Sequence, residues 1–414
     1  MMPKEMLGNY FKSHEKELVD YVLKILAEVV KEKTVNVEKE RLHEFPYLKI
    51  AGQESLVSKI VMRELKAMNV DCQEKTLVEG RSNVLGFYGK GDSSLLVAAH
   101  MDVVPPGDGW SRDPFTTHVD KEKGLVYGRG VIDNKGPLVA TLCALKVLNE
   151  LKIKLNGTFI MGAIASEEYR EQGEEDPGLD FLIKSKSLNP KWAIIPDVGG
   201  NMQMIDVAEK GRLQIKITST GKQAHGSTPQ KGINAVTMMS RLLLELENMQ
   251  MQYVPHNFLD RPTLNIGTIR GGSASNIVPA KCEAVLDIRY LPSQSAEGIL
   301  KEIKGVADRL SVSGNYDFEV VAVSLPHEVD SANILVKTIQ ENAQSILGTT
   351  PRPFGLGGGT FAKSFNLSGI VAVGYGPGDD TAFHIADEYI EIKQLLSFAH
   401  MITAVAMDLL GYQK

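Results

Sequence analysis

Five consecutive apolar residues, Leu95-Leu96-Val97-Ala98-Ala99, run directly into His100-Met101-Asp102. An apolar run this short, bounded by polar loops, reads as a buried strand. A strand with no polar face must be covered on both sides, which constrains the chain to a layered α/β arrangement. The histidine and aspartate at its end stand two residues apart, and side chains at i and i+2 of a strand face the same way. Asp102 is therefore expected beside the His100 ring, accepting a hydrogen bond from one ring nitrogen and leaving the other for a metal ion. A lone histidine at a strand end is more often simply packed or solvated, so the weight falls on what the rest of the chain supplies.

The same punctuation recurs. A Pro-rich loop over 103–115 leads to Gly128-Arg129-Gly130-Val131-Ile132-Asp133-Asn134-Lys135-Gly136-Pro137. The apolar segment 157–165 ends on Ser166-Glu167-Glu168, and Trp192 to Pro196 ends on Asp197. A Gly-rich stretch from Gly376 ends on His384. In open α/β sheets ligands bind beyond the carboxyl ends of the strands, so residues distant in sequence can converge there. Two histidines and three carboxylates are the inventory of a two-metal hydrolytic centre, in which one carboxylate bridges ions roughly 3.5–4 Å apart. Imidazole and carboxylate donors suit zinc first, with manganese or cobalt also satisfied. Cys72, Cys143 and Cys282 are too dispersed for a thiolate site or a disulfide framework and read as buried free thiols. Neighbours on an extended backbone point opposite ways. Of Glu167 and Glu168, then, one is expected to ligate and the other to take a proton from water.

The chain has 414 residues, enough for two or three domains. Helices are expected over 14–33, 53–69 and 137–151, and strands over 83–88, 94–99, 157–165 and 192–196. The strands at 83–88 and 94–99 read as neighbours joined by the turn Gly89-Lys90-Gly91-Asp92. Helix alternating with buried strand predicts a catalytic α/β/α domain around a mostly parallel central sheet. From 208 the pattern changes to half-solvated strands in the order β-α-β-β-α-β, a ferredoxin-like arrangement. The expected organisation is a metal-binding catalytic domain over 1–207 and 327–414, interrupted by an inserted lid or dimerisation domain over 208–326. Helices at 331–345 and 392–410 complete the first domain.

Several function classes are excluded. A net charge of −6, with no long Lys/Arg run, offers no footprint for nucleic acid. No segment has the apolar length that crosses a membrane, and the N-terminus lacks a signal-peptide pattern, so a cytoplasmic protein is the expectation. No G-x-S-x-G elbow is present. Gly355-Leu356-Gly357-Gly358-Gly359-Thr360 has Thr where a dinucleotide fingerprint needs its last glycine, and it does not open the first βαβ unit.

Taken together, His100-Met101-Asp102, Gly-Arg-Gly-x-x-Asp133, Ser166-Glu167-Glu168, Asp197, Gly221-Lys-Gln-Ala-His225-Gly-Ser-Thr-Pro229 and His384 resemble, in order and spacing, the M20 family of metallopeptidases and deacylases. The resemblance covers nearly the whole chain. It implies that Asp133 bridges two ions, with His100 and Asp197 completing one and Glu168 and His384 the other. It implies that Glu167 is general base and then acid, that Asp102 orients His100, and that His225 stabilises the oxyanion. Asn276 and Arg289 would bind substrate, Arg289 at its carboxylate, for which a guanidinium fork is suited.

Within that family, Asp133-Asn134-Lys135-Gly136-Pro137 looks like the dipeptidase branch of PepV-type, Xaa-His and carnosine dipeptidases. Gly357-Gly358-Gly359-Thr360-Phe361-Ala362-Lys363 resembles the Gly-rich loop of the PepV type, with Phe361 for Tyr and Lys363 for Arg. Gly358, Gly359 and Thr360 are thereby expected at the substrate, since glycines let backbone N–H groups approach a carboxylate closely. The lid is of ordinary family size, without the PepV-type expansion, which implies a homodimer in which His225 serves the partner's active site. Glu174, Glu175 and Asp176 are candidates to meet a free α-amine. The resemblance thus implies hydrolysis of a dipeptide. The alternative is N-acyl amino acid deacylation of the acetylornithine or succinyl-diaminopimelate kind. A metal-free peptide-binding protein of the same fold would be expected to lack a ligand or the base, and all six residues are present.

Overall fold

The structure is a computed structural model that describes residues 3–170, 174–310 and 313–413. The chain divides into two units. The larger comprises 1–207, 329–354 and 360–414; the smaller comprises 208–328 and 355–359.

The larger unit is built on a mixed sheet. Its strands run in the order Asp71–Val78, Arg81–Gly89, Thr158–Ile164, Ser94–His100, Trp192–Ile195, Val371–Gly374 and Met204–Glu209. The central four are parallel, and those flanking them are antiparallel. Sequence reading makes 83–88 and 94–99 neighbours. Instead Thr158–Ile164 lies between them, pairing antiparallel with the first and parallel with the second. The turn at 89–92 therefore connects strands that share no ladder. The all-apolar Thr158–Ile164 strand is buried along its length apart from its first residue, so it is stable only inside the sheet.

Helices cover both faces. Lys135–Glu150 and Ile392–Leu410 pack together on one side, with Glu15–Lys31 and Ile334–Leu347 outside them. On the other side Leu179–Lys184 and Phe361–Leu367 close a core of Leu96, Ala98, Ile160, Ile195, Phe365 and Ala372. The Lys135–Glu150 helix opens on Gly136 and Pro137. A Cβ at Gly136 would lie 1.9 Å from the carbonyl oxygen of Val131, so only glycine lets the helix start this close to the Asp133 loop. Proline in a first turn loses no hydrogen bond.

The smaller unit has a four-stranded antiparallel sheet in the order Thr263–Gly271, Lys281–Tyr290, Gly211–Thr220, Asn315–Ser324. Helices Ala235–Glu247 and Ala296–Arg309 pack with it. That is the ferredoxin-like order. Gly211–Thr220 and Lys281–Tyr290 alternate strictly between buried and part-exposed residues. One face therefore joins Leu213, Ile215, Ile217, Leu286 and Ile288 into the core with the helices. Asn234 and Ser295 cap the two helices by accepting from the N–H groups of Thr237 and Gly298. Of the three cysteines, Cys143 and Cys282 are buried, but Cys72 is only half-buried, because it lies on the edge strand of the larger sheet.

Candidate metal centre

His100 ends the second of the parallel strands, and the residues expected to join it do so within the larger unit. Its Nε2 lies 2.9 Å from Asp133 Oδ1. Asp133 Oδ2 lies 2.9 Å from His384 Nε2, which is 3.3 Å from Glu168 Oε2. One carboxylate thus stands between two imidazoles. Ligand atoms of His100, Asp133 and Glu168 all lie within 4.8 Å of one another. Asp197 and Glu167 are close enough to act electrostatically on the same group. Asp133, Glu168 and Asp197 are largely or fully buried, as is His100, whereas the His384 side chain is about half exposed. The His384 backbone adopts φ +61°, a left-handed conformation that costs energy for a non-glycine residue and is held by the surrounding loop.

The relation between His100 and Asp102 differs from the expected one. His100 Nδ1 donates to the backbone carbonyl of Asp102 at 2.9 Å, and the Asp102 carboxylate is farther, at 3.5 Å. A carbonyl only accepts, so Nδ1 carries a hydrogen and Nε2 is the nitrogen turned toward Asp133. The carboxylate instead receives the backbone N–H groups of Glu167 at 3.1 Å and Glu168 at 3.0 Å, and the Asn36 side-chain amide at 2.8 Å. Asp102 therefore fixes the loop that carries both glutamates. The strand ends before that loop, and Ser166 turns the chain at φ +63°, so the extended-backbone picture of Glu167 and Glu168 does not apply. Glu54, fully buried and paired with Arg81, accepts the Ser166 N–H at 3.1 Å. Asn36 and Glu54 carry no sequence signal, being isolated polar residues in ordinary surroundings.

Electrostatics follow from packing the carboxylates of Asp102, Asp133, Glu167, Glu168 and Asp197 around two imidazoles. Burial alone would lower His100, but the carboxylates of Asp102 and Asp133 outweigh it and hold the imidazole well above its ordinary range. Hydrogen bonds to Asp133 and Glu168 push His384 up to about 10. Burial pushes up both glutamates; for Glu167 the charges of Asp197, Glu168 and Asp133 add to it. Asp133 is held below the usual carboxylate range, because bonds to the two histidines overcome its burial. Burial also pushes Glu388, behind Asp133, up to about 7, opposed by Arg129 and by backbone N–H groups. Its Oε1 receives those N–H groups and its Oε2 the guanidinium, bonds that favour the charged form against burial.

Divalent cations fit this donor set. Glu168 Oε1 is buried with no hydrogen-bond partner among the described residues. The surplus of buried carboxylates around the two imidazoles calls for positive charge.

The other expected site residues lie elsewhere. His225 and Asn276 are exposed neighbours in the smaller unit, where Gly226 N–H donates to the Asn276 carbonyl at 2.7 Å. His225 Nδ1 lies 2.7 Å from Ser227 Oγ. Arg289, on the Lys281–Tyr290 strand, donates from Nε to Asp287 at 2.7 Å. Gly358 and Gly359 belong to the smaller unit, and Thr360 caps the Phe361–Leu367 helix. A Cβ on Gly357 would meet nothing within 4 Å, so space around that loop is open. Of the candidates for a free amine, Asp176 is engaged by the N–H groups of Gly178 and Asp180, and Glu174 pairs with Lys39.

Residues 207–315 match the family model described as a peptidase dimerisation domain. An uncharacterized metallohydrolase of Methanocaldococcus jannaschii is 27% identical over 415 residues, 94% of this chain and 92% of that protein. A succinyl-diaminopimelate desuccinylase of Wolinella succinogenes is 28% identical over 326 residues, 77% of this chain and 85% of that protein. The crystal structure of aminopeptidase PepT from Bacillus cereus superposes with a TM-score of 0.74 at 21% identity, covering 94% of this chain and 98% of that one. Matched domain, shared fold and clustered donors together define a metal-dependent hydrolase. In its matched domain and in its fold the chain is similar to the M20 superfamily of metallopeptidases and related hydrolases. No helix among the described residues is long and apolar enough to cross a membrane.

Proposed function

We propose that the protein is a dipeptidase of this superfamily, hydrolysing the amide bond of a small peptide at a two-metal centre. The observation that carries the reading is the Asp133 carboxylate held at 2.9 Å from both His100 and His384. In this reading His100, Asp197, Glu168 and His384 would hold two ions, with Asp133 shared between them. Zinc is the first choice, with manganese and cobalt also suited to the donors. When bound, the ions supply an activated water and polarise the scissile carbonyl.

The chain's own residues do the rest. Glu167 takes the proton of the attacking water and returns it to the leaving amine. Burial and the neighbouring carboxylates, which raise its proton affinity, suit it to that exchange. Asp102 holds the Glu167 loop, and the His100 tautomer is set through the Asp102 carbonyl. His225 serves as oxyanion donor in a homodimer, a role supported by its exposure and by the matched dimerisation domain. Asn276, Arg289 and the Gly358-Gly359-Thr360 turn recognise the peptide, with Arg289 at its carboxylate.

The peptide reading is favoured by Asp133-Asn134-Lys135-Gly136-Pro137, by the glycine run at 357–359 and by the likeness to an aminopeptidase. N-acyl amino acid deacylation is the second reading, favoured by the likeness to a desuccinylase. Turnover assays on protein reconstituted with zinc, manganese and cobalt separate them, using free dipeptides beside N-acetyl- and N-succinyl-amino acids. Cleavage of dipeptides is expected. Cleavage of acyl amino acids alone would sink the dipeptidase reading and leave the metal centre standing.

A further inference from the structure

Asp133 is the hinge of the centre, because its two oxygens face different histidines. A small rotation of that carboxylate would disturb both contacts at once. What sets its direction is therefore a question about the loop that carries it, and the loop's backbone points to a residue far away in sequence.

Glu388 is fully buried. One of its oxygens, Oε1, receives the N–H groups of Gly130 at 2.9 Å, Ile132 at 3.0 Å and Asp133 itself at 3.4 Å. Three donors from the four residues 130–133 around one carboxylate oxygen fix the loop conformation up to the bridging residue. Gly130 sits at φ +89°, which allows the loop to curl around that oxygen. The other oxygen, Oε2, pairs with the guanidinium of Arg129, itself 1% exposed. From there Arg129 Nη2 reaches the carbonyls of Pro106 at 3.2 Å and of Pro105 and Ile385 at 3.4 Å. Pro105 and Pro106 lie on the loop that leaves His100 and Asp102, and Ile385 follows His384. The pair thus touches the chain at Asp133 itself, next to His384, and on the loop that follows His100.

We propose that Glu388, with Arg129 as its countercharge, is the positioning residue that aims the Asp133 carboxylate between His100 and His384. The inference rests on the metal reading above and adds a determinant to it. A buried ion pair is weak evidence for stability, since apolar residues of similar volume often replace one at no cost. A pair retained here, with its oxygens divided between the loop and the guanidinium, is explained by what it orients. The Glu388 carboxylate bonds to Arg129 and to the N–H groups of Gly130, Ile132 and Asp133, so it acts on the centre through the backbone.

The test uses the full chain and cobalt(II) as the probe. Glu388→Gln and the apolar pair Arg129→Met with Glu388→Leu are compared with wild type in three measurements. These are the melting of the metal-free protein, cobalt affinity by equilibrium dialysis, and the visible absorption of the bound cobalt. The apolar pair is expected to fold, to bind cobalt ~10–100-fold more weakly, as losing an outer partner of a ligand does, and to show shifted cobalt bands. Its kcat falls while KM for substrate stays near the wild-type value. Cobalt affinity within about twofold of wild type and unchanged bands, in a variant that folds, would overturn the proposal; the same loss by Glu388→Gln below its melting midpoint supports it if the apolar pair does not fold. Unchanged cobalt binding by Glu388→Gln in that event overturns it equally. Wild type that takes up no cobalt would overturn the metal reading itself, a separate failure.

Discussion

The two units treat their polar residues in opposite ways. In the larger one, Asp102, Glu54 and Glu388 are fully buried, and each captures backbone N–H groups of a loop that carries a candidate ligand or base. In the smaller one the core between sheet and helices is apolar, with Leu213, Ile217, Leu286 and Ile303 fully buried, and among the described residues the buried polar Glu209, Ser219 and His327 hold no candidate ligand loop. Its candidate recognition residues, His225 and Asn276, are exposed and held by local bonds. Holding several charges in one place requires rigid backbone, and a buried carboxylate with satisfied lone pairs supplies it. Recognition of a flexible peptide tolerates groups on exposed turns of an otherwise ordinary sheet. Under the proposed function, metal retention and the general base fall to the first unit, and the oxyanion donor and substrate recognition to the second.

Removing His100 gives the largest expected effect and the most direct way to break this division. His100→Ala should lower metal affinity by more than the ~10–100-fold that follows loss of an outer partner, with turnover falling to background. Dialysis against zinc with metal analysis checks it. Retained metal at full occupancy would remove the imidazole from the centre.

Glu167→Gln should keep wild-type metal content and lose ~10²–10⁴-fold in kcat, as loss of a general base does. Loss of metal instead would move Glu167 into the ligand shell. His225→Ala should cost ~10²–10³-fold in kcat, the scale of an oxyanion donor, with metal content again unchanged. If His225→Ala strips metal, the division between the units fails.

Leu286→Ala should destabilise the smaller unit by ~2–5 kcal/mol, the range for emptying a buried leucine site. Thermal melting with metal analysis sharpens the comparison, because metal content at low temperature should stay at the wild-type level.

The smallest effect concerns pH and lies away from the centre. Burial pushes His400, stacked on Phe11 at 4.5 Å, down to about 4. Between about pH 6.5 and 4 the unfolded chain takes up a proton that the folded chain refuses. Stability from this group is complete above pH 6.5 and declines as pH falls, by roughly 2 kcal/mol at pH 5. His400→Phe should flatten that part of the decline in denaturation curves at pH 7 and pH 5. An identical slope in the variant would assign the acid sensitivity elsewhere.

Much of this molecule is legible in the chain because local physics decides it. Apolar runs too short for helices mark the central strands, and period-two alternation marks the half-solvated strands of the smaller unit. The Ile392–Leu410 helix is readable to the residue from its unbroken pattern before Gly411. The chemistry is legible because His100, Glu167, Glu168 and Asp197 stand just where apolar runs stop. Strand adjacency was decided only by tertiary structure: a turn at 89–92 suggests a hairpin, yet burying Thr158–Ile164 on both sides required it to enter between the two strands. The roles of Asn36, Glu54, Arg129 and Glu388 were decided there too. Asn36, Glu54 and Glu388 are unremarkable polar residues in sequence and Arg129 only a member of the Gly-Arg-Gly motif; each acquires its place from groups that folding brings within hydrogen-bond reach. Sequence periodicity reports which side chains avoid water; it carries no record of which backbone groups need a partner once water has left.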